Sequence, residues 1–210
     1  MVSKESYAPT HSQFDELRHA ATTILPGFIP QNTVTAPIGD LKGNLQKILS
    51  QRTALGTCED YTTKLLAQAA TMFAGNYPHI NTIMEGYGKI TGPKGGGYIL
   101  KQHPYDTVDG DLFANGARPG TVWLVPNRQY GSTMSAQRIA EFQADYAWTA
   151  LHETFHLGMQ GSYSDEQMAA AAYALAGMTL PTTSLTGLDR AYFYTGKFDN
   201  ELMKHCPKLK

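Results

Sequence analysis

The stretch 135–159 constrains the fold most, because it predicts a long helix with apolar side chains on two sides. Two lines of apolar residues run along it: Ile139, Phe142 and Tyr146, and Trp148, Leu151 and Phe155. A helix of this kind is mostly buried, so the other elements are expected to pack around it. Hydrophobic residues make up 42% of the 210 residues, which is enough for such a core and excludes a disordered or fibrous chain.

Shorter elements are predicted on either side of this helix. Apolar periodicity and capping residues predict helices from Ser12, at 40–52, at 58–74, at 164–176 and within 187–204. Extended segments are predicted at 98–101 and at 121–125, the second of which is β-branched and is followed by Pro126. The expected fold class is therefore α+β, mainly α, with several packed helices and the buried helix beside a small sheet.

We expect one domain over residues 1–210. Its parts are a variable N-terminal segment at 1–36, helices and a small sheet at 40–131, and the long helix, a turn and C-terminal helices at 132–206. The first residues are polar and do not form the apolar stretch of a signal peptide. The protein is thus expected either to stay where it is made or to be a piece of something longer.

Charge and hydropathy exclude two classes of partner. The net charge is −1, and the Lys and Arg residues are scattered, so a nucleic-acid-binding surface is not expected. No apolar run approaches the roughly 20 residues that a membrane-spanning helix needs. The partner expected from the motif described below is a peptide or protein substrate.

Two cysteines, Cys58 and Cys206, allow one disulfide. Such a bond would close a long loop and tie the C-terminus to the body, with a contribution of about 3–5 kcal/mol in the chain-entropy model. Two buried thiols are the alternative, and the residues alone do not decide between them.

The long helix contains a motif that carries chemistry, H-E-x-x-H at His152, Glu153 and His156. Histidines at positions i and i+4 lie on one helix face, so both imidazoles can reach one cation. The intervening Glu is placed to hold and deprotonate a water at the metal, and zinc is the usual ion for such ligands. Chance would give roughly 0.01 such matches in a chain of this composition. The alternative is a pair of core histidines with hydrogen-bond partners.

A catalytic zinc site needs a third protein ligand. The metzincin spacing requires a His where Ser162 stands, and the stretch 174–181 contains no acid for a thermolysin-like site. An acid just beyond the helix remains. Asp165 is the expected ligand, Glu166 is its close rival and Asp189 a more distant one.

Three further features have both a functional and a structural interpretation. Tyr163 is a candidate hydrogen-bond donor to the oxyanion of a tetrahedral intermediate, or a packing aromatic. Asp145 is a candidate for orienting the His152 ring, or a solvated surface acid. The strand at 121–125 is a candidate edge strand for binding an extended peptide, or an interior strand.

These residues resemble the zincin metallopeptidases. The sequence LHETFHL at 151–157, the run that follows it to Asp165, Cys58 opening a helix and the terminal Cys206 are similar to the C-terminal metallopeptidase-like toxin domains of bacterial Rhs-repeat proteins. The resemblance covers about residues 40–206. It implies a zincin-like fold, one zinc ion, Glu153 as general base, and an effector domain delivered on a larger secreted bacterial protein, with an immunity or carrier protein as partner.

The leading hypothesis is a zinc-dependent peptidase in which metal-activated water attacks a peptide bond with Glu153 as general base. One alternative is a zincin-like binding module without turnover. Another is a thiol hydrolase that uses Cys58 at its helix N-terminus, with His103 or His79 as base.

Overall fold

Five α-helices make up most of the chain that the computed structural model describes, which is residues 17–18, 20–24, 39–73, 83–85, 112–114, 121–124, 135–157 and 163–210. The helices, α1 to α5, are Leu41–Leu49, Cys58–Met72, Ala136–Leu157, Asp165–Leu175 and Gly187–His205. The strands, β1 to β5, are Arg52–Thr53, Gly56–Thr57, Ile83–Glu85, Leu112–Ala114 and Thr121–Leu124. The α+β, mainly α class is confirmed.

The N-terminal predictions are described only in part. The helix predicted from Ser12 is described from Leu17 onward, where a π-helical turn, Ala20–Ile24, packs against α1 and α3. Leu17 and Ala21 are fully buried. The extended segment predicted at 98–101 lies outside the described residues.

Local capping explains where the first helices begin. Asp40 precedes α1, and its Oδ1 accepts a hydrogen bond from the backbone N–H of Gly43 at 2.9 Å. Thr57 precedes α2, and its hydroxyl accepts from the backbone N–H of Asp60 at 3.0 Å. Both helices bury the apolar faces that were expected: Leu41, Leu45, Ile48 and Leu49 in α1, and Tyr61, Leu65, Leu66 and Ala69 in α2.

The long helix α3 is buried mainly in its second half. Residues 146–148 and 150–155 are buried, whereas Ile139 and Phe142 are half-buried and the first turn is exposed. The prediction of a two-sided buried helix is therefore confirmed for most of residues 146–155, which include His152 and Glu153. Neither α3 nor any other helix that the structure describes is both long and apolar enough to cross a membrane.

The strand predicted at 121–125 is not an edge strand, which corrects the sequence expectation. The strand β5 lies between β3, which is parallel to it, and β4, which is antiparallel. Both of its edges are therefore occupied, so an extended peptide cannot pair with it in this arrangement. This sheet packs against α3 through β4 and β5.

The C-terminal end of the chain is fastened to the body of the fold. Cys58 and Cys206 form a disulfide with Cα atoms 4.7 Å apart, which confirms the first of the two alternatives left open by the sequence. The indole N–H of Trp148 donates to the carbonyl of Cys206 at 2.9 Å, and Gln51 Nε2 donates to the carbonyl of Pro207 at 2.7 Å. The end of α5 is thus joined to α2 covalently and to α3 by a hydrogen bond.

Candidate metal centre

The imidazole of His152 lies between two carboxylates. Its Nδ1 is 2.6 Å from Asp199 Oδ1, and its Nε2 is 3.1 Å from Asp165 Oδ1. The His152 side chain is 7% exposed, while those of Asp165 and Asp199 are 23% and 25% exposed. Three helices therefore meet at one buried ring, and solvent reaches the cluster at its two acids.

Asp165 is placed by the start of α4. It is the first residue of that helix, directly after Ser164. Ser164 and Gln167 form a reciprocal capping box, with hydrogen bonds of 3.3 Å and 2.9 Å. Asp165 Oδ2 accepts from the Thr195 hydroxyl at 3.0 Å. A carboxylate in the first turn of a helix is favoured in its ionised form by the helix dipole.

Asp199 is placed by α5, and the sequence interpretation did not include it. The preceding residue, Phe198, is fully buried and packs against both His152 and Phe155, with ring centroids 5.2 Å and 5.4 Å away. Tyr194, Phe198 and Leu202 form the buried line of α5. In the sequence, Asp199 could have been identified as an acid that lies directly beside this apolar face of the helix.

The surroundings of His152 act on its pKa in opposite directions. Burial lowers the pKa of the imidazole, but the hydrogen bonds to Asp165 and Asp199 and the nearby charge of Glu153 raise it, so that the net result lies well above the ordinary value. Each ring nitrogen of His152 thus faces one carboxylate oxygen. The two carboxylates therefore favour a positive charge at this position.

The two other members of the motif lie on the same helix. Glu153 is 6% exposed and follows His152 directly. His156 lies one turn further along α3, but its side chain is outside the described residues. Among the side chains that the structure does describe, no group of three or more His, Cys, Asp or Glu is arranged to hold a metal ion.

The rival ligands face elsewhere. Glu166 forms a two-point ion pair with Arg190, at 2.6 Å and 3.2 Å, across the start of α4 and α5. Asp189 is exposed in the first turn of α5. Of the three acids considered from the sequence, Asp165 is the one whose carboxylate lies against His152.

For Tyr163 and Asp145, the structure agrees better with a packing aromatic and a surface acid than with the functional roles considered above. Tyr163 is 2% exposed, and its ring packs against Phe73 with centroids 6.2 Å apart, as expected of a packing aromatic. Asp145 is exposed and accepts a hydrogen bond from Lys208 Nζ at 2.9 Å. The alternative in which Asp145 orients the His152 ring is wrong, because Asp199 contacts Nδ1 and Asp165 contacts Nε2.

Cys58 does not present a thiolate. It is fully buried and disulfide-bonded, whereas a nucleophilic cysteine needs an accessible thiolate. His79 and His103, the bases considered for it, lie outside the described residues. The thiol hydrolase alternative has no support in this arrangement.

No protein-family model matches this chain, and neither does any curated protein or solved structure. The functional interpretation therefore rests on the motif in α3, on the resemblance described above and on the geometry of the cluster.

Proposed function

We propose that the protein is a zinc-dependent peptidase of the zincin type. In this proposal His152, His156 and Asp165 hold the metal, and Glu153 is the general base. The observation that carries it is the approach of Asp165 Oδ1 to within 3.1 Å of His152 Nε2. A ring nitrogen and a carboxylate from different helices meet there, and the sequence of the same helix has a second His at the i+4 position.

The two described ligands, His152 and Asp165, are of the kinds that zinc binds. Imidazole nitrogen and carboxylate oxygen are ligands that zinc prefers when one coordination position stays open. Two ligand atoms bound tetrahedrally at about 2.0–2.2 Å from one ion lie roughly 3.3–3.5 Å apart. The two atoms in this cluster lie 3.1 Å apart, so only a small displacement separates them from that spacing.

Each side chain then has a defined task. Zinc, when bound, supplies Lewis acidity that polarises a carbonyl group and lowers the pKa of water. The Glu153 carboxylate accepts the proton of the attacking water and passes it to the leaving amine. Asp165 contributes a negative charge that helps to offset the charge of the ion, and the buried position of Glu153 keeps bulk water from competing for its proton.

The experiment compares the wild type with Glu153→Gln on a denatured protein substrate, with the zinc content of both measured. The wild type is expected to cleave, and the variant is expected to retain zinc and lose activity by about 10²–10⁴-fold. Equal cleavage by the variant would show that Glu153 is not the base. Zinc in the wild type without cleavage of any substrate would favour the zincin-like binding module instead.

The proposal also includes a role for this chain as the effector domain of a toxin. The resemblance to the toxin domains of bacterial Rhs-repeat proteins supports an effector domain carried on a larger secreted polypeptide. Expression of the chain in the bacterial cytoplasm tests this: the wild type should arrest growth and Glu153→Gln should not. Equal growth of both would contradict the toxin role and leave the chemistry untouched.

A further inference from the structure

Two side chains of α5 contact the two described zinc ligands of the proposed site. Thr195 and Asp199 are four residues apart, so they lie one turn from each other on one helix face. Asp199 contacts His152, and Thr195 contacts Asp165. Neither contact is local in sequence, because the partners are 47 and 30 residues apart.

The contact of Asp199 determines where the imidazole points. A hydrogen bond of 2.6 Å from Nδ1 to a carboxylate resists rotation of the ring about its bond to Cβ. With Nδ1 held, the opposite nitrogen, Nε2, is directed at Asp165 Oδ1. Carboxylates that hold the second nitrogen of a metal-binding His raise metal affinity in this way.

The contact of Thr195 determines where the carboxylate of Asp165 points. The hydroxyl lies 3.0 Å from Asp165 Oδ2, which leaves Oδ1 facing His152. The same hydroxyl lies 3.0 Å from the carbonyl oxygen of Ala191, so its single proton is shared between the two acceptors. The hydroxyl therefore restrains the rotation of a carboxylate that is otherwise partly exposed.

The helix that carries both side chains is itself held in place. Phe198, which directly precedes Asp199, packs against Phe155 of α3. The end of α5 is tied by the disulfide at Cys206. A rigid element is the kind of support that a metal site needs.

We propose that Thr195 and Asp199 are the positioning residues of the metal site, and that α5 sets the relative orientation of its His152 and Asp165 ligands. This inference rests on the proposed function, since it assigns the residues that support the same site.

The experiment measures zinc affinity by competition with a chromophoric chelator, on the full chain with its disulfide intact. Asp199→Asn and Thr195→Val are each expected to weaken zinc binding about 10–100-fold. Thr195→Ser keeps the hydroxyl and is expected to bind zinc as the wild type does. The absorption spectrum of the Co²⁺-loaded protein should change in Asp199→Asn and Thr195→Val, because it reports ligand geometry rather than stability.

Matched controls make the same chemical changes elsewhere. Asp145→Asn removes an exposed carboxylate from the helix that carries His152. Thr63→Val removes a hydroxyl that donates only to the carbonyl four residues earlier, at Glu59. Both are expected to bind zinc as the wild type does.

The two proposals fail in different ways. A wild type that takes up no zinc would overturn the metal site and this inference with it. A wild type that binds zinc, with Asp199→Asn and Thr195→Val of unchanged affinity and unchanged Co²⁺ spectrum, would overturn this inference alone. If Asp199→Asn does not fold, the pair Thr195→Val and Thr195→Ser decides the outcome.

Discussion

Reduction of the disulfide between Cys58 and Cys206 should remove a large part of the stability of this protein. The bond closes a loop with a sequence separation of 148 residues. In the chain-entropy model a loop of that length corresponds to about 5 kcal/mol at 25 °C. Small domains are commonly stable by only about 5–15 kcal/mol, so the reduced protein is expected to unfold at a much lower denaturant concentration.

Urea unfolding followed by circular dichroism, with and without a phosphine reductant, measures the difference. Comparing oxidised and reduced wild type leaves every side chain in place, so loss of the cross-link is not confused with a cavity. The double variant Cys58→Ala/Cys206→Ala serves as the control, because its unfolding should not respond to the reductant. A difference below about 1 kcal/mol between the two forms of the wild type would refute the loop-closure reasoning.

Three further substitutions test the packing, the capping and the pH response. Phe198→Ala should lower the free energy of unfolding by about 3–5 kcal/mol, because Phe198 is fully buried. Tyr192 is 69% exposed on the same helix, so Tyr192→Ala should change that free energy by less than about 0.5 kcal/mol. Similar costs for both substitutions would contradict the described core. Ser164→Ala should cost about 1 kcal/mol because it removes the capping box at α4, and an unchanged unfolding midpoint would refute that role. Burial lowers the pKa of His205 in the folded protein. As the pH falls below about 6.5, the unfolded chain therefore takes up a proton at this residue before the folded chain does, and the free energy of unfolding decreases. His205→Gln should therefore flatten the pH dependence of the melting temperature between pH 7 and 5 (roughly the window of an ordinary His), and a profile identical to that of the wild type would contradict the assignment.

The helices could be predicted because their signals are local. Apolar spacing and a capping side chain lie within a few residues of each helix start, as at Asp40, Thr57 and Ser164. The motif in α3 and Asp165 could be considered together for the same reason, because one helix turn and a short connection keep them close along the chain. This is why one of the two acids that contact His152, Asp165, could be chosen from the sequence.

The contacts between distant segments could not be predicted in the same way. Asp199 approaches His152 only because α5 packs on α3, and an acid beside an apolar line is usually solvated. The pairing of Cys58 with Cys206 depends on the same packing. The position of β5 within its sheet depends on which strands flank it, and the apolar run at 121–125 contains no information about its neighbours. Each of these is a property of the assembled fold rather than of a segment.

The most direct test of the account is the zinc content of the purified protein after equilibration with zinc and removal of the excess. The wild type should retain one zinc ion per chain. His156→Ala and Asp165→Ala should lose it, while Glu166→Ala, one residue further along the same helix, should retain it. A wild type without bound zinc, or equal zinc in the Asp165→Ala and Glu166→Ala variants, would contradict the proposed site.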